Sequence, residues 1–159
     1  MANTLVSLFF WIGLCLLTGA VSGWLSRDGI SGWYRTLRKP PLNPPDWVFG
    51  PVWTLLYLSM GVAAWMIWRD RRAPGADLAL GIFFLQLALN FLWSVIFFRW
   101  QSPGLAMCDI FLLLATIGGT IIAFYGVRPV AGAILVPYLA WVLFASYLNI
   151  AVWWRNGEA

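Results

Sequence analysis

The chain has 159 residues, is 62% hydrophobic and 18% aromatic, and is only 10% charged, with a net charge of +4 from ten Lys/Arg against six Asp/Glu. A soluble domain carries about 25% charged residues, so this composition excludes a water-facing globule and indicates one membrane domain over residues 1–159. Histidine is absent, which excludes His-based catalytic triads and the commonest transition-metal ligand, so no metal site is expected.

A hydrocarbon layer about 30 Å thick takes about 20 helical residues to cross, and five apolar segments reach that length. Lipid cannot satisfy an open sheet edge, so the spans must be helices. The predicted fold class is an all-α bundle of five transmembrane helices. The first helix covers residues 5–25, with no charge before Arg27. It lacks a basic segment ahead of it and exceeds the length of an h-region, so a cleaved signal peptide is not expected. Gly19 and Gly23 form a GxxxG pair, which permits close helix contact within the chain or across a homodimer.

Residues 26–46 form a long loop between the first two helices. It opens with Arg27, Arg35, Arg38 and Lys39 and then stiffens at Pro40, Pro41, Pro44 and Pro45. Proline fixes φ and turns the preceding residue away from helix, so residues 39–45 are predicted extended and of one shape, a lid over the helices below. The second helix, residues 47–68, is free of charge. After Arg69, Asp70, Arg71 and Arg72 comes the third, residues 78–98, with Gln86 and Asn90. The fourth, residues 103–125, carries one acid, Asp109, read either as a functional intramembrane carboxylate or as a partner of Arg99. The fifth covers residues 130–154.

Five spans place Arg27, Arg35, Arg38, Lys39, Arg99 and Arg155 on one side and Arg69, Arg71, Arg72 and Arg128 on the other. That asymmetry predicts a cytoplasmic position for the long loop and the C-terminus. Cations at the ends of apolar runs read as membrane anchors, and no nucleic-acid partner is expected. Cys15 and Cys108 read as small buried hydrophobes, not as a disulfide framework.

Three helices each carry a stripe of rings and amides. Phe49, Trp53 and Tyr57 recur every four residues; Gln86, Asn90, Trp93 and Phe97 share one face; so do Tyr138, Trp141, Ala145 and Asn149. Lipid tails do not reward amides, so these faces are predicted to point inward around a chamber for a flat, largely apolar ligand. Trp11, Trp65, Trp68, Trp153 and Trp154 lie near helix ends and read as an interfacial belt. For Trp53, Trp93 and Trp141, composition leaves pocket wall and belt as alternatives.

The run Trp33, Tyr34, Leu37, Lys39, Pro40, Pro44, Pro45, Trp47, Val48, Gly50, Pro51, Val52, Trp53, Leu56 and Tyr57 resembles the first signature of the tryptophan-rich sensory protein family. This family is also called translocator protein, TspO/MBR, or peripheral-type benzodiazepine receptor. Gln86, Leu87, Leu89, Asn90, Trp93, Phe97 and Phe98 resemble its third-helix pattern, and residues 137–141 with Phe144, Ala145, Leu148 and Asn149 its fifth.

The resemblance, to a bacterial member, implies a multi-pass membrane protein, often a homodimer, acting in sensing or transport. It implies binding of porphyrins and other tetrapyrroles, of sterols or membrane lipid, and of drug-like isoquinoline carboxamides and benzodiazepines. Porphyrin is implied as a ligand, and no cofactor is expected. The implied site lies under the first loop and is lined by Trp33, Phe49, Gly50, Trp53, Asn90, Trp93, Cys108, Leu112, Trp141, Phe144 and Ala145, with Asp109 where the family has an aspartate. The resemblance also implies an alternative, light-dependent porphyrin breakdown involving Trp53 and Trp141. Two departures stand out. Pro41 and Leu42 replace the family's Ser-Trp, and Ile150 and Ala151 replace an aromatic pair in its C-terminal sterol pattern.

Overall fold

The computed structural model describes residues 2–157 and contains, among them, helices and no strands. The elements are α1 (Ala2–Ser31), the short α2 (Trp33–Thr36), α3 (Asp46–Arg69), α4 (Ala76–Ser94) running into a π-helical turn (Val95–Arg99), α5 (Pro103–Val127), α6 (Pro129–Ile134) and α7 (Val136–Asn156). Five helical stretches are long and apolar enough to cross a membrane, with α4 and the π turn forming one and α6 and α7 another. The expected all-α, multi-pass architecture is therefore present. α1 lies along α3, α4 along α5, and α5 along α7, while α6 returns to α3.

Three boundaries depart from sequence expectation, each for a tertiary reason. The first helix continues past residue 25 to Ser31. Its last turns are held against the end of α4: the Ser26 hydroxyl lies 3.1 Å from both the carbonyl oxygen and the hydroxyl of Ser94. Gly29 sits so close to the Phe98 carbonyl that a Cβ would come within 1.8 Å of it. The loop of residues 26–46 thus shrinks to an irregular strap of residues 37–45, preceded by α2, and it is not extended throughout as expected: Asn43 donates its N–H to Pro40 O at 3.0 Å, closing a turn over Pro41 and Leu42. The fifth span breaks at Leu135, two residues before Pro137. Proline has no N–H to donate and its ring crowds the carbonyl four residues back, so the helix restarts there.

The π turn is the third departure. Trp100 donates its N–H to Val95 O at 3.0 Å, and Gln101, at φ 54°, ends the segment in a left-handed conformation. The wider turn brings Trp93, Phe97 and Phe98 to one side, with Phe97 and Phe98 centroids 4.8 Å apart.

Of the GxxxG pair on α1, only Gly19 makes a close contact within the chain. A Cβ at Gly19 would meet the Tyr57 ring at 2.3 Å, whereas Gly23 has nothing within 4 Å. Trp11, read from sequence as a belt residue, is only 3% exposed and packs among Trp68, Phe83 and Phe84. Cys15 is buried as expected, but Cys108 is exposed on the bundle surface.

These contacts predict a paired result. Gly29→Ala forces backbone against backbone and should cost about 1–3 kcal/mol, read as a lowered thermal midpoint in detergent. Gly23→Ala, facing open space, should stay within about 0.5 kcal/mol of the parent.

Candidate functional site

Next to the strap, α1, α3, α4, the π turn and α7 border a cavity of about 520 Å³ that Tyr34 and Asp46, on either side of the strap, also line. That is within the range of about 300–1,000 Å³ typical of small-molecule sites. The residues meeting there come from the three predicted stripes: Phe49, Trp53 and Tyr57 from α3; Asn90, Trp93 and Phe97 from α4 and the π turn; Trp141, Ala145 and Asn149 from α7. The rings pack edge-on around the space, with Phe49 6.0 Å from Trp141 and Trp53 6.5 Å from Tyr138, both close to perpendicular. This chamber decides between the readings of Trp53, Trp93 and Trp141: they are wall residues.

The floor is a buried polar chain. Tyr57 donates its hydroxyl to Asn90 Oδ1. Asn90 Nδ2 donates to the Tyr138 hydroxyl at 2.9 Å, which donates in turn to Gln86 Oε1 at 2.8 Å. Gln86 Nε2 then reaches Met60 Sδ at 3.8 Å. The chain ties α3, α4 and α7 together at one level. A second tie joins α4, α7 and α5: Trp93 Nε1 donates to Asn149 Oδ1 at 3.0 Å, and Asn149 Nδ2 to Pro103 O at 2.8 Å. One donor is left over. The Trp141 indole Nε1 is buried without a hydrogen-bond partner.

The strap was expected as a lid, but none of residues 37–45 lines the cavity; only Tyr34 and Asp46, which flank it, do. The strap itself is tied at both ends. At one end the Tyr34 hydroxyl donates to Asn43 Oδ1 at 2.9 Å, and Asn43 Nδ2 to Pro44 O at 2.9 Å. Burial pushes the Tyr34 phenol up to about 12, and the Asp46 carboxylate adds to the rise. The phenol therefore keeps its proton, and this tie persists, throughout the ordinary pH range. At the other end the Asn156 side chain grips Arg38 on both sides, accepting from its N–H at 2.9 Å and donating to its C=O at 3.2 Å.

Among the loop cations Arg35, Arg38 and Lys39, Lys39 is engaged. Its Nζ lies 4.3 Å over the Tyr34 ring and 3.5 Å from Asp46 Oδ1. Arg35 and Arg38 are exposed and form no ion pair among the described residues.

Seven of the expected lining residues face the cavity: Phe49, Gly50, Trp53, Asn90, Trp93, Trp141 and Ala145. Five do not. Trp33 packs on Phe97 from outside, at 5.8 Å. Phe144 lies behind Trp141, at 5.7 Å, and stacks on Tyr147. Cys108 is exposed, and Leu112, at 60% exposure, is on the lipid-facing side of α5. Asp109 is buried outside the cavity with Oδ2 unpartnered, and Arg99 does not pair with it but reaches Leu25 O at 3.4 Å. Conversely, the α1 wall of Gly19, Ala20, Ser22 and Gly23 was not anticipated, nor were Ile30, Tyr34 and Asp46. The small residues between Thr18 and Gly23 were the available signal, since rings opposite them need the room.

A sequence model of the TspO/MBR family matches residues 11–155. The chain is 42% identical over 153 residues to the tryptophan-rich protein TspO of Chlorobaculum tepidum, covering 96% of this chain and 97% of that one. It is 41% identical over 133 residues to the human translocator protein, covering 79% of each. To the tryptophan-rich sensory protein of Cereibacter sphaeroides it is 36% identical over 130 residues, covering 80% of each.

Two substitutions probe the floor and the strap. Asn90→Ala strands the Tyr57 and Tyr138 hydroxyls and should lower stability by about 1–3 kcal/mol in chemical or thermal unfolding. Asn156→Ala should leave the fold intact but speed amide exchange at Arg38 by roughly three- to tenfold, one hydrogen bond's worth.

Proposed function

The chain belongs to the TspO/MBR family, and from that premise we propose that it binds a porphyrin or related tetrapyrrole in the chamber next to the strap, as a sensory or translocating membrane protein. The observation that carries the reading is the convergence of Phe49, Trp53, Trp93, Phe97 and Trp141 on one 520 Å³ space. Ring walls suit a flat conjugated ligand, because stacked and edge-on aromatic contacts add about 0.5–1.5 kcal/mol each beyond burial. The unpartnered Trp141 N–H supplies a donor beside that space. Arg35 and Arg38, in no ion pair among the described residues, supply positive charge for peripheral carboxylates, with Lys39 contributing less because Asp46 already offsets it. The names borne by its relatives, sensory and translocator, support a role in signalling or moving such a ligand. A sterol-like or drug-like apolar ligand would use the same walls without the arginines.

A second reading, light-dependent porphyrin breakdown, is favoured by one feature. Trp53 lies 5.7 Å from the Tyr57 ring and 6.5 Å from Tyr138, so an oxidised indole would have phenols beside it. Illumination of the complex in air separates the readings: a new bilin-like absorbance supports breakdown, and its absence leaves binding.

Titration with protoporphyrin, followed by Trp quenching, tests the first reading. Trp53→Phe and Trp141→Phe should each weaken binding by about 1 kcal/mol, roughly fivefold in Kd. Unchanged affinity and quenching in both variants would remove the chamber as the site.

A further inference from the structure

At the end of the bundle away from the strap, the close of α3 and the loop after it form a second concavity, of about 440 Å³, lined by Arg69, Asp70, Arg71, Arg72, Ala73 and Val127. Its arginines are arranged, not merely numerous. The Arg69 guanidinium lies 5.0 Å over the Trp65 ring, and the Arg71 guanidinium 4.8 Å over the Trp68 ring. Arg71 also reaches the Trp68 carbonyl at 3.4 Å. Arg128, just before α6 at the start of the fifth span, bonds Asp70 Oδ2 at 3.0 Å and so offsets the one carboxylate in the lining. Arg72 is exposed and, among the described residues, in no ion pair.

Indole rings at the ends of spanning helices sit at the level of lipid headgroups. A guanidinium stacked on such a ring is therefore held at phosphate depth, with its N–H fork still available for oxygens. The anion concentrated at that depth is the phosphodiester of a phospholipid. We propose that this cradle is a headgroup site for an anionic phospholipid, in which Arg71 and Arg72 grip the phosphate and Arg69 lends charge beside it. The site is separate from the ring-walled chamber and does not depend on what the chamber binds. Asp70 acts against it, because its carboxylate competes with the phosphate for arginine.

The test uses the full chain in detergent, offered equimolar phosphatidylglycerol and phosphatidylcholine, with bound lipids counted by native mass spectrometry. The wild type should retain phosphatidylglycerol in preference. The double variant R71Q/R72Q should lose on the order of tenfold in that retention, two interfacial charges' worth. D70N should gain a few-fold. R35Q/R38Q, at the opposite end, should change less than twofold; its circular dichroism and that of R71Q/R72Q should match the parent. Equal loss in R35Q/R38Q would reduce the effect to net charge and overturn the site. So would undiminished retention in R71Q/R72Q. Displacement of the lipid by millimolar inorganic phosphate would show a site for a free anion and overturn the assignment to lipid.

Discussion

Hydrocarbon offers no hydrogen bonds, so a polar side chain placed between membrane helices must find its partner in the protein. That constraint organises this bundle. Tyr57, Asn90, Tyr138 and Gln86 satisfy one another in a single buried chain running across α3, α4 and α7. Apolar packing alone would hold these helices with little preference for register, since lipid tails are as greasy as leucine. The chain sets the register, and the register brings three rows of rings to face one another. The chamber is the consequence: bulky rings meeting edge-on above a fixed floor leave room that close-packed aliphatic side chains would fill.

The strap follows a different logic, because it meets water. It is shaped by prolines and secured by Asn43 and Asn156, each using both ends of its amide. Small residues on α1 complete the enclosure. Gly19 gives way to the Tyr57 ring and Gly29 to the Phe98 backbone, so α1 approaches closely at both levels while leaving the space between them open. The far end of the bundle has neither strap nor chamber. Its arginines lie over tryptophans at the level where lipid headgroups begin. The two ends thus present different chemistry: an aromatic enclosure beside a tied loop at one, a cationic cradle at the other.

Much of the fold was legible in the residues. Charge-free runs of sufficient length announced five spans, and proline marked the strap. Spacings of three and four residues on three helices announced the faces that meet in the chamber, and the amides on those faces said which way they point. Less legible was the extent of α1. Arg27 and Asp28 suggested a loop, but Ser26 and Gly29 hold those turns helical against the end of α4. The π turn had no sequence signature, because its geometry comes from how Trp93, Phe97 and Phe98 pack.

The chain by itself determined that it crosses the membrane five times, that rings and amides share inward faces, and that a stiff segment follows the first crossing. Tertiary structure alone decided which apolar residues look inward and which look at lipid. Leu113 is buried while its neighbour Leu112 is exposed, Trp11 lies in the core, and Cys108 lies on the surface. Hydropathy cannot separate these cases, because the interior and the bilayer reward an apolar side chain equally. Only the packing of neighbouring helices distinguishes the two environments.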